Sequence, residues 1–172
     1  KSMSLIKKIL ILTSIFFISC LNNLSAQEIK KIGKYKDWEA MIISEASGKI
    51  CFAQSSPILQ KPETDKRDSK LFVTFRPNDS ITNEVSVTPG YEFNSGNSVM
   101  AQSGKSKFKF DIKEQGFAWI ADPKIELKMI KQMKKGSRIM ITGYKQNNSQ
   151  TRDHYSLLGF TKAYNASKKA CR

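Results

Sequence analysis

Apolar and polar residues alternate with a period of two through most of the chain beyond residue 35, the signature of half-buried β-strands. Residues 38–43 (WEAMII) set Trp38, Ala40 and Ile42 on one face, and residues 49–54 (KICFAQ) form a second short strand. In residues 71–75, Leu71, Val73 and Phe75 share a face, and residues 84–87 alternate in the same way. The cleanest alternation is residues 107–112 (KFKFDI), with Lys107, Lys109 and Asp111 opposite Phe108, Phe110 and Ile112. The turn at Ser103-Gly104-Lys105 pairs this strand with residues 98–102. Residues 117–120, 138–144 and 154–160 supply three more strands, the last two joined by a loop at Asn147-Asn148-Ser149. The charged stretch 61–68 (KPETDKRD) reads as a loop. Short strands separated by frequent turns predict a sandwich or a barrel.

A helix over residues 122–135 interrupts the strands. Asp122 suits the N-cap, Pro123 the first helical position and Gly136 the stop. Ile125, Met129, Ile130 and Met133 fall on one face at helical spacing; Lys124, Lys128, Lys131, Lys134 and Lys135 fall on the other. The apolar stripe is as wide as packing on a sheet requires, and the lysines form a candidate basic surface. A membrane-surface helix is the alternative. A second, short helix at 162–170 would bring Cys171 back to the domain.

The first 26 residues have a different pattern. Lys1, Lys7 and Lys8 precede an apolar run at residues 9–18, and a polar stretch ends in Leu24-Ser25-Ala26. A basic start, a short apolar core and small residues at the exit are the pattern of a secretory signal peptide. The run is shorter than the about 20 apolar residues needed to span a bilayer. Residues 27–172 are then one exported domain without a transmembrane span. Phe17-Ile18-Ser19-Cys20 loosely resembles a lipobox, so lipidation and tethering at Cys20 is the alternative to cleavage after Ala26.

Charge and cysteine count sharpen this expectation. The chain carries +14; without the three signal lysines the domain keeps +11. Such a field draws a protein toward polyanions. In an envelope these are anionic lipid headgroups and lipopolysaccharide rather than nucleic acid. Lysine outnumbers arginine 24 to 5, which fits a solvated basic surface or coding bias as well as a dedicated anion site. With Cys20 removed, Cys51 and Cys171 remain, and an even number in an exported chain predicts a disulfide. Two buried free thiols are the alternative.

Sequence motifs for catalysis or metal binding are absent. His154 is the only histidine, and no Cys-x-x-Cys, His-Glu-x-x-His, Gly-x-Ser-x-Gly or phosphate loop occurs. Asp153 and His154 are strand neighbours, so they point to opposite faces and cannot form an acid–base pair directly. Glu84 and Glu92 lie near strand ends with nothing to single them out. Trp38 and Trp119 read as core aromatics rather than sugar-stacking platforms. No cofactor and no metal site is expected.

Several strings recur in order: Gly33-Lys34-Tyr35-Lys36-Asp37-Trp38, Cys51, Arg76-Pro77, Asn83-Glu84-Val85-Ser86-Val87 and Gly90-Tyr91-Glu92-Phe93. Ala118-Trp119, Met133-Lys134-Lys135-Gly136-Ser137, Tyr155-Ser156-Leu157-Leu158-Gly159-Phe160 and Cys171 complete the set. Over residues 33–171 the chain resembles the invasion-associated locus B family of alphaproteobacterial exported proteins. The resemblance implies an all-β, immunoglobulin-like sandwich, a periplasmic or outer-membrane-associated location and no known enzyme activity. His154 stands where the family often has Thr. The expected function is a non-enzymatic envelope protein that binds a partner protein or an anionic envelope component. A host-cell adhesion or invasion factor, or an envelope hydrolase with unrecognised carboxylates, are the alternatives.

Overall fold

The computed structural model describes residues 28–172; the signal peptide expected at 1–26 and the lipidation alternative at Cys20 lie outside the described residues. Among the described residues, twelve strands and two α-helices make an all-β sandwich. The strands are β1 (Glu28–Tyr35), β2 (Trp38–Glu45), β3 (Gly48–Ser55), β4 (Leu59–Lys61), β5 (Lys70–Arg76) and β6 (Ile81–Thr88). They continue as β7 (Val99–Ser103), β8 (Ser106–Phe110), β9 (Ile112–Glu114), β10 (Phe117–Trp119), β11 (Arg138–Tyr144) and β12 (Gln150–Ser156). The helices are α1 (Pro123–Lys135) and α2 (Phe160–Ala170). The large sheet has the order β1-β2-β3-β5-β6-β10-β9, and the small sheet β4-β12-β11-β7-β8, with every pairing antiparallel.

The alternation read from the sequence is what builds the core. Trp38, Ala40, Cys51, Ala53, Leu71, Val73, Val85 and Val87 are buried from the large sheet. Val99, Ala101, Phe110, Ile139, Ile141 and Tyr155 meet them from the small sheet in one continuous cluster. Antiparallel sheets that bury one face leave the other free, so each layer presents an outer face.

The helices fill what the sheets leave open. Asp122 caps α1 by accepting from the Lys124 amide at 2.8 Å. Its buried face, Met129, Ile130 and Met133, packs over β6, while all five lysines of the other face are exposed. Lys134 Nζ lies 3.9 Å from the centroid of the Tyr164 ring, and burial pushes its pKa down. Gly136 ends the helix in an extended conformation; a Cβ there would sit 2.9 Å from Ser103 Oγ, so close approach selects the glycine.

Helix α2 covers the inner face of β1, β2 and β3 with Phe160, Ala163, Tyr164 and Ser167, the i, i+3, i+4, i+7 set. Phe160 meets Trp38 edge-on at 4.8 Å, and the Trp38 indole N–H donates to Ser156 O at 2.8 Å. Gly159 begins the helix at φ +90°, where any Cβ would fall 1.7 Å from Tyr35 O. Cys171 at the end of α2 bonds to Cys51 on β3, closing a loop of sequence separation 120.

Four expectations change. The strand expected at 107–112 is two strands: β8 ends at Phe110 in the small sheet, and β9 begins at Ile112 in the large one. Asp111 makes the crossing, its amide donating to Trp119 O at 2.8 Å, so Ile112 falls outside the expected inward register and is exposed. The strand expected at 154–160 lies at Gln150–Ser156, because Leu157-Leu158-Gly159 turns into α2 two residues before its expected start. The expected loop at 61–68 begins inside β4, where Lys61 pairs with Arg152. Trp38 is fully buried as expected, but Trp119 is not in the core: Ala118 takes the inward position, and period-two geometry puts Trp119 outside.

Candidate functional site: two outer faces and a cleft

The small sheet's outer face collects cations that are scattered in sequence. Outward positions are Lys107 and Lys109 on β8, Arg138 on β11, Arg152 on β12 and Lys61 on β4, around Met100, Met140 and His154. No outward position of these five strands carries an Asp or Glu. Lys61 and Arg152 are direct cross-strand partners, an arrangement that destabilises a sheet on its own account. Burial, then Arg138, with Lys61 and Arg152 adding and Asp153 opposing, hold the His154 pKa below the ordinary imidazole range. Asp153 faces the other way, buried and ion-paired with Arg67, so it and His154 point to opposite faces as the strand period requires.

The lysines expected to form a basic surface on α1 are a separate group, exposed on another part of the described structure. It was visible in the sequence because helical spacing keeps its members close together. The sheet face was not, because its cations come from four strands that pair only in the fold.

The large sheet's outer face has the opposite character. Phe52, Phe72, Phe117 and Trp119 are half-buried there. Phe52 and Phe72 lie 6.0 Å apart, Phe72 and Phe117 6.3 Å, and Phe117 stacks on Trp119 at 5.6 Å. Ser86 is flanked directly by Phe72 on β5 and Trp119 on β10, so its short side chain leaves a recess between larger neighbours. Arg76 Nη2 donates to Glu84 Oε2 at 2.6 Å beside it. A depression of about 360 Å³ covers these residues.

A neighbouring cleft of about 690 Å³ shares Arg76, Glu84 and Trp119 with that depression and reaches Glu126 on α1. Glu84 and Glu126 thus converge, whereas Glu92 is exposed and does not line the cleft. Both converging carboxylates already have structural partners. Glu84 pairs with Arg76, and Glu126 accepts from the Val85 amide at 2.8 Å, a donor that β10 is too short to reach. Burial raises the Glu126 pKa to about 7; the Val85 amide opposes this, and the Glu84 and Asp122 charges add to it. Sequence reading missed Glu126 because it looked for acids near strand ends, and this one sits on the buried face of a helix.

A pH dependence follows. An unfolded Glu titrates at about 4.5 and the folded one at about 7, so the native state holds the proton more tightly. Stability from this group is complete below pH 4.5 and is lost as pH rises to 7, by about 3 kcal/mol in total. His154, whose pKa is lowered on folding, works in the opposite direction in the same window. Glu126→Gln keeps an acceptor for Val85 and removes the titration. Urea unfolding at pH 5 and pH 8 is expected to show a smaller difference in the variant than in the wild type. Equal differences would show that Glu126 does not titrate there.

Among the described residues no group of three or more metal-ligating side chains occurs, and no helix is long and apolar enough to cross a membrane. No curated protein sequence matches the chain. The crystal structure of invasion associated protein B from Bartonella henselae aligns with a TM-score of 0.57 and 12% identity, covering 82% of this chain and 97% of that one. At that identity the likeness is one of fold. The profile of the Invasion associated locus B (IalB) protein family matches residues 38–168, from the buried Trp38 to the last turns of α2. This span takes in every strand but β1, all of α1 and most of α2, and the chain belongs to the invasion-associated locus B family.

Proposed function

We propose that this chain is an exported, non-enzymatic cell-envelope protein that binds an anionic envelope surface, lipid headgroups or lipopolysaccharide, through the outer face of the small sheet. The single-sign charge of that face carries the reading. Five cations from four strands share it, two of them directly opposed; no outward strand position there is acidic, and among the described residues only Lys61 of the five is ion-paired, with Glu63 of the following loop. Like charges held together at a cost to the sheet fit a surface matched to an anion. The signal-like residues 1–26 support export, and the buried disulfide suits an oxidising compartment. The structural commitments of Glu84 and Glu126 support a binding role over hydrolysis.

The test is co-sedimentation of the mature domain with vesicles of phosphatidylglycerol and phosphatidylcholine at low and moderate salt. Binding is expected to require the anionic lipid and to weaken with salt. Each cation near an anionic surface is worth about 1 kcal/mol, so neutralising Lys107, Lys109 and Arg152 to Gln should weaken binding by roughly two orders of magnitude. Neutralising Lys124, Lys128 and Lys131 on α1 should cost less. Equal binding to pure phosphatidylcholine, or an unaffected sheet variant, overturns the reading.

A further inference from the structure

The aromatic outer face of the large sheet is independent of the basic face on the other layer. From it we infer a second binding site, one that takes a neutral oligosaccharide. The starting observation is a combination of apolar rings with unspent hydrogen-bonding groups. Phe72, Phe117 and Trp119 are half-buried although no element among the described residues covers them. Around them, the Thr74 and Ser86 hydroxyls, the Gln115 amide and the Trp119 indole N–H make no side-chain hydrogen bond among the described residues, yet all line the same depression. A pyranose presents this combination in reverse: an apolar C–H face that lies against an aromatic ring, and a rim of hydroxyls that both donate and accept.

Charge narrows the ligand further. In a chain of net charge +14, the only cation lining this depression is Arg76, and its guanidinium is already neutralised by Glu84. A polyanion would meet the Glu84 carboxylate and find no free cation. An acyl chain would strand the four polar groups beneath it, at a desolvation cost. A neutral, hydroxyl-rich ligand satisfies both the rings and the rim. The continuity of the depression with a second concavity favours an elongated ligand. The depression continues, through Trp119, Arg76 and Glu84, into the cleft beside α1, giving concavities of about 360 and 690 Å³ in series. Each is within the size range of small-ligand sites, and a chain of several sugar rings would run from one to the other.

The two tryptophans make the site readable. Trp38 is fully buried beneath α2, and Trp119 lines the depression. Titrating the disulfide-bonded domain with a panel of neutral hexasaccharides (β-1,4-glucan, β-1,4-mannan and β-1,4-linked N-acetylglucosamine) is expected to change tryptophan emission saturably for at least one of them. Calorimetry then compares variants. Removing one stacking ring, in Trp119→Ala or Phe72→Ala, should weaken affinity about tenfold or more. Neutralising Lys107, Lys109 and Arg152 should leave it unchanged, which separates this site from the anion-binding face. Because the rings are only half-buried, the variants should keep the wild-type circular dichroism; Gln115→Ala, at an exposed position, gives a second variant with a weaker expected loss. No saturable response to any hexasaccharide, or a response that persists undiminished in both ring variants, overturns the inference.

Discussion

Replacing Cys51 and Cys171 with alanine is expected to lower the free energy of unfolding by about 2–5 kcal/mol. The bond joins residues 120 positions apart, and a longer closed loop removes more entropy from the unfolded chain. Without the bond, α2 is still held by Phe160, Ala163 and Tyr164 in the core, and Tyr164 is held by its hydroxyl donating to Asn83. The helix should therefore stay docked, and the variant should fold to the same structure with a lower urea midpoint and a similar slope. A loss below about 1 kcal/mol would mean that the unfolded chain gains little freedom when the bond is absent. A helix that melts ahead of the sheets would mean that the bond, rather than the aromatic contacts, keeps α2 in place.

The second large effect concerns a buried ion pair. Arg67 bonds Asp153 and reaches Asp65 at 2.9 Å; the Arg67 and Asp153 side chains are each 4% exposed. The segment between β4 and β5 is tied to the sandwich through this pair and through Gln60, which bonds Ser69 and the Arg67 backbone. Asp153→Ala leaves a guanidinium buried with only the partly exposed Asp65 as a counter-charge. Breaking such a pair on one side costs about 3–5 kcal/mol. Replacing both members with apolar residues, Arg67→Met with Asp153→Leu, should recover much of that loss, because desolvation is then removed along with the attraction. A double-mutant cycle read by urea unfolding measures the coupling. Asp153→Ala within about 1 kcal/mol of wild type would show that Asp65 or water replaces the lost partner.

This pair also shows what the sequence could and could not reveal. The period-two pattern was enough to place Asp153 and His154 on opposite faces. Nothing near residue 153 pointed to Arg67, 86 positions earlier, since long-range pairing is set by register between strands. The apolar face of α1 and the layer of Trp38, Val73 and Phe110 were legible for a local reason: spacing within one element fixes which residues share a face. The disulfide was legible from cysteine arithmetic alone. Both outer faces were hidden because each is assembled from strands that are distant in sequence. Trp119 was misjudged because a three-residue strand carries too short a pattern to tell inside from outside. Residues 107–112 misled for the opposite reason: their alternation is clean, but it runs on past the point where the chain changes sheet.

That change of sheet has a mechanical consequence. The two layers are joined at Asp111 by a single residue whose amide is held by Trp119 O. A one-residue tether has no slack, so the layers cannot slide past each other or part at this edge without breaking β8 from one sheet and β9 from the other. Longer connections would let each sheet breathe separately; this crossing couples β8 and β9, so local opening of one is expected to disturb the other. The offset between its two outer surfaces is fixed at this edge for as long as both layers are folded.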